Sequence, residues 1–171
     1  MEESLAQVNA LATDTFGSVW HIASDFLVVI VIFSVIFFLA WRANRGFIIS
    51  FTLSLYVAYA LYSVFPYASL LPSTTPLVAL FSAAALFVLI TGIAFMVLHR
   101  AIVSDFISIG LLGLIVLSLL AAGFLLALIF HVLPIQAIYD FTPAVTSLFA
   151  PNEYFFWWFT APLVGLFFLA R

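Results

Sequence analysis

Cysteine is absent from this sequence. That excludes disulfides, thiolate nucleophiles and Cys-ligated metals, and it removes the usual clue to redox compartment. Lysine is absent too, and the only arginines are Arg42, Arg45, Arg100 and Arg171. So thin a supply of cations provides no basic patch for the phosphates of a nucleic acid. Charged residues make up 6% of the chain, against about 25% in soluble globular domains. A water-facing surface cannot be assembled from so few charges. The sequence also lacks GxSxG, HExxH, Walker and GxGxxG patterns, so the common hydrolase, metalloprotease and nucleotide-binding signatures are missing.

What is present is apolar surface. Hydrophobic residues account for 67% of the 171 positions, 21 of them phenylalanine, and the mean hydropathy is +1.36. A domain of this size still exposes much of its surface on folding, so its solvent must be largely lipid. A bilayer core about 30 Å thick takes roughly 20 apolar residues of helix. Spans are expected at about 19–41, 47–65, 76–98 and 106–133, with a fifth, shorter stretch at 154–170 interrupted by Pro162. The fourth, about 28 residues long, should tilt or protrude. The expected fold class is all-α: a polytopic integral membrane helix bundle of four to five transmembrane helices, forming one membrane domain over 1–171. Residues 1–18 carry apolar positions at roughly helical spacing, including Leu5, Val8, Leu11 and Phe16, which predicts an N-terminal interfacial helix. The acidic start MEES does not fit a secretory signal, whose first region is basic.

The few charges are ordered. Arg42 and Arg45 follow the first span, Arg100 follows the third and Arg171 the fifth, while the intervening loops carry Glu2, Glu3, Asp14, Asp140 and Glu153. Cations are retained on the cytoplasmic side of short loops. The pattern therefore predicts topology anchors at Arg42, Arg45, Arg100 and Arg171, an N-terminus outside, and a multi-pass protein of a bacterial or archaeal cytoplasmic membrane. Within WRANRGF, Asn44 and Gly46 suit a tight turn. Pro76 suits the first position of the third helix, Asp105 is an expected cap of the fourth, and a short interfacial helix is expected within 136–149.

Chemistry-bearing residues are sparse. His21 and Asp25, four apart on one helix face, together with His131 and Asp140, form the one constellation that resembles a metal or proton site. The competing reading, favoured because all four fall near the interface, is helix capping or a simple His–Asp pair. On that reading no cofactor is expected, and His99 is an interfacial residue rather than a ligand. Small residues at Ser82–Ala85 and Gly92 in the third helix, and at Gly110, Gly113 and Ala121–Gly123 in the fourth, mark close helix packing. They suggest that these two helices form a hairpin.

Asp25 at the start of the first span, the RGF of Arg45–Phe47 after it, a serine-containing apolar helix and then a two-span hairpin closed by a proline recur in this order over residues 25–134. In this the chain resembles the colicin V production protein family of small multi-span bacterial inner-membrane proteins. The resemblance implies a role in export or envelope physiology rather than a reaction. The function expected is that of a non-enzymatic scaffold or accessory subunit that packs against other membrane subunits within the lipid bilayer. The alternative is a homo-oligomeric transporter or channel component.

Overall fold

The computed structural model describes residues 26–43, 45–66, 71–72, 74–102, 110–138, 141 and 143–169; the side chain of Arg45 is not among them. Helix α1 is Phe26–Ala43. It is followed by α2 (Arg45–Ser63), α3 (Pro76–Ala101), α4 (Leu111–Val132), a 3-10 turn at Ile135–Ala137, α5 (Pro143–Phe149) and α6 (Asn152–Leu169). No strand occurs among the described residues. Even β-branched runs such as Val28–Ile32 are helical, because in lipid every backbone N–H and C=O must be satisfied within its own segment. Helices α1 to α4 are each long and apolar enough to cross a bilayer. The protein is a multi-pass helical membrane bundle. The expected interfacial helix at 1–18 lies outside the described residues.

The ring contacts and core clusters set the directions. Phe47 meets Phe95 and Tyr62 meets Phe87, so α2 and α3 are antiparallel. Ile49 shares a core with Leu117, and Leu55 shares one with Phe124 and Leu128, so α2 and α4 run parallel. Ile36 and Ala40 cluster with Leu114 and Leu117, whereas Val29 and Ile32 pack with Leu126 and Phe130; α1 is antiparallel to α4. Gly123 abuts Trp158 and Gly165 abuts Leu117, which makes α6 antiparallel to α4. The bundle thus has one end carrying the exposed Arg42 and Arg100, joined through the packing of Ile102 against the Ala40 cluster, and an opposite end carrying His131. Arg171 lies outside the described residues.

Several local signals behave as expected. Pro76 occupies the first turn of α3, and the Thr75 hydroxyl caps it by accepting from the Val78 amide at 3.3 Å. Ser82 donates to Pro72 O at 3.0 Å and ties the incoming loop to the helix. The short helix expected after Pro134 forms as α5, which buries Val145 and Phe149 against Ala127 and Phe130 of α4. Other details differ. Helix α4 starts at Leu111 with Gly110 extended before it and no side-chain cap; the expected cap, Asp105, lies outside the described residues. The helix has 22 residues rather than 28, about 33 Å at 1.5 Å per residue, and crosses a bilayer without excess length. The close partner of α3 is α2, not α4. The small patch Ala121–Gly123 of α4 is instead buried in the bundle core, with Gly123 against Trp158 of α6.

Candidate functional site

Among the described residues, the buried hydroxyls all belong to α2 and α4: Ser50, Thr52, Ser54 and Ser118. Three of them turn back on their own helix. Ser50 donates to Gly46 O at 2.9 Å, Thr52 to Ile48 O at 2.8 Å and Ser54 to Phe51 O at 2.7 Å, the usual resolution for a hydroxyl inside a helix. Gly46, Ser50, Ser54 and Ala58 recur at every fourth position and are all buried. This stripe on α2 lets neighbouring backbones approach closely. The four-residue spacing was visible in the sequence, but the hydroxyls disguised it. Ser118 Oγ is buried with no hydrogen-bond partner.

Of the polar constellation expected from sequence, only His131 is described; His21, Asp25 and Asp140 lie outside the described residues. His131 is not simply wetted. Its Nδ1 lies 2.9 Å from Ala127 O and its ring stacks on Phe155 of α6, with centroids 4.1 Å apart at 25°. Nε2 is buried and unpaired. The imidazole therefore serves as a flat wedge between α4 and α6. No group of three or more metal-ligating side chains occurs among the described residues.

Helix α6 shows how a proline is absorbed. Pro162 is buried in the helix interior, where its ring removes one backbone donor and crowds the preceding turn. The Tyr56 hydroxyl of α2 donates to the Phe159 carbonyl in that turn, and the Tyr56 ring packs on Phe124 and Phe159. The donor that Pro162 lacks would have served the Trp158 carbonyl, four residues back, so the Tyr56 bond braces the adjacent carbonyl of the same turn from a neighbouring helix. Trp157 is exposed, whereas Trp158 turns inward, donating from Nε1 to Leu148 O at 3.0 Å and stacking on Phe149.

A groove of about 500 Å³ remains between α2, α3 and α4, walled by residues including Phe51, Phe87, Val88, Phe95, Leu125 and Ile129. Its one hydroxyl, on Thr91, is committed to Phe87 O at 2.7 Å. Gly92 lines the groove, and an added Cβ there would meet nothing within 4 Å. The groove offers apolar contact and no free polar group among its lining residues.

Fold and site together define a small multi-pass helical membrane protein with an apolar groove between α2, α3 and α4. No protein-family model matches the chain, and neither a curated protein nor a solved structure matches it.

Proposed function

We propose that this protein is a non-enzymatic scaffold or accessory subunit of a membrane complex, acting by helix packing. The observation that supports it is the unequal use of its spans. In α4, 61% of the spanning window is buried within the bundle, but in α1 only 11% and in α3 only 22%. Helix α1 presents Phe26, Ile30, Val35 and Phe38 outward, so it is a long apolar face available to another subunit. The buried hydroxyls of α2 supply no polar track across the bundle, because each is bonded to its own helix. That favours a packing role over conduction through a single copy. The likeness to the colicin V production family over residues 25–134 points the same way, to envelope or export physiology.

The setting is a bacterial or archaeal cytoplasmic membrane with the arginine end inside and the N-terminus outside. The support is that Arg42 and Arg100 are exposed at one end. Helix α6 runs antiparallel to α4 from the level of His131 to that of Leu117, which supports reading it as a fifth crossing. It has 18 residues, about 27 Å, which local bilayer thinning accommodates.

Photo-crosslinking residues at Val35 and Phe38 in the full chain, activated in native membranes, test the reading. A discrete adduct with one other membrane protein is expected. Adducts to lipid alone, from a chain that purifies as a monomer, would overturn it. A ladder of self-adducts together with ion flux in vesicles would instead favour the oligomeric transport role. Orientation is checked separately with single cysteines at Thr74 and Ala101, which must label from opposite sides, the latter from the cytoplasm.

A further inference from the structure

The groove between α2, α3 and α4 has a shape that limits its occupant. Its α3 wall runs from Ala84 to Phe95, eleven steps or about 16 Å at 1.5 Å per residue. A volume of about 500 Å³ spread over that length makes a long, narrow apolar slot, a shape that suits one extended hydrocarbon chain. The walls agree: they are aliphatic and aromatic, and Thr91 has no hydroxyl hydrogen to give.

The mouth of the groove adds a charge. Ala84, Val88, Gly92 and Phe95 follow one helical stripe on α3, and its next residue is His99. The His99 ring stacks on Phe95, centroids 5.2 Å apart at 12°. His99 and its neighbour Arg100 are both exposed, in the last turn of α3. Among the described residues the only acid, Glu153, lies in the first turn of α6 at the opposite end of the bundle. The groove thus leads from an apolar slot to a cluster of donors with net positive charge, the arrangement by which basic pockets between membrane helices take anionic lipid heads.

We propose that this groove is a binding site for an anionic phospholipid, with one acyl chain lying between α2, α3 and α4 and the phosphate held at His99 and Arg100. This site is independent of the α1 face that carries the scaffold reading. The full chain is reconstituted in vesicles doped with phosphatidylglycerol bearing a diazirine in mid-chain, irradiated and mapped by peptide mass spectrometry. Adducts are expected on the lining residues of α3 and α4, Val88 and Ile129 among them, well above those on exposed residues of α1. Gly92→Trp fills the slot and should abolish them, whereas Gly92→Ala should keep them. Val88→Trp, at the exposed rim, is a second plug that does not depend on the tolerance of Gly92. Replacing the probe by phosphatidylcholine with the same chain, or combining His99→Ala with Arg100→Gln, should weaken the groove adducts several-fold. Adducts that persist unchanged with both plugs folded, or that spread evenly over α1, overturn the chain site. Equal labelling by the two lipids overturns the assignment of the anionic head.

Discussion

Helices α3 and α4 are nearly equal in hydropathy, at 2.5 and 2.8 over their spanning windows, yet only 22% of the first is buried in the bundle against 61% of the second. Each carries a cluster of small residues, Ser82–Ala85 in α3 and Ala121–Gly123 in α4. The difference lies in what faces them. In α4 the small patch is packed in the bundle core, and an added Cβ at Gly123 would run into the Trp158 ring. In α3 the side chain missing from Gly92 opens onto empty groove. In lipid, hydropathy selects which segments enter the membrane, but it does not draw helices together, since lipid tails are as apolar as leucine. Close packing has to come from matched shapes, and α4 has them on several sides.

Four substitutions probe this contrast, each read as the change in unfolding free energy of the reconstituted chain. Phe124→Ala should have the largest effect. Phe124 is fully buried and stacks with Tyr56 and Phe159, so the cavity should cost about 3–5 kcal/mol. A parallel Met96→Ala on the exposed face of α3 should change stability by less than about 0.5 kcal/mol. If the two costs match, α4 is not the packing centre. Gly123→Ala comes next. The new methyl meets the Trp158 ring, and overpacking of this kind costs about 1–3 kcal/mol. The additional replacement of Trp158 by Leu should recover part of that loss, and an absence of recovery would separate Gly123 from α6.

Tyr56→Phe removes the hydroxyl that donates to Phe159 O beside Pro162. A loss of about 0.6–1.7 kcal/mol is expected, in line with polar contacts between membrane helices. An unchanged stability would show that the bond from Tyr56 to Phe159 O does not hold α2 to α6. An effect of opposite sign belongs to Gly92→Ala, in open space, which should stabilise by up to about 1 kcal/mol through helix propensity alone. A destabilisation there would show that the groove closes around Gly92 in the membrane.

The sequence was read most successfully where one segment decides its own fate. The spans predicted at 47–65 and 76–98 are observed as Arg45–Ser63 and Pro76–Ala101, because about 20 apolar residues satisfy their backbone only as a helix in lipid. Pro76 and Thr75 start α3 for equally local reasons. Reading failed where two segments had to be compared. The α3–α4 hairpin was inferred from small residues in both helices, but the observed partner of α3 is α2. The stripe Gly46, Ser50, Ser54 and Ala58 went unremarked because serine reads as polar until its hydroxyl is seen bonded to its own helix. His131 stands in the last turn of α4, toward the bundle end where the sequence places it, but its stacking on Phe155 is with a neighbour 24 positions away that no local pattern announces.

By itself, then, the sequence determined the class of solvent, the helical state, the positions of the spans and the gathering of arginines toward one end. All of these follow from the transfer of single residues or single segments between water and lipid. Only the tertiary structure decided that α4 is the centre, that Tyr56 bonds the turn of α6 before Pro162, and that α3 stands off from α4 far enough to leave a groove. Those outcomes depend on which shapes meet across helices, and a one-dimensional pattern of hydropathy contains no term for that.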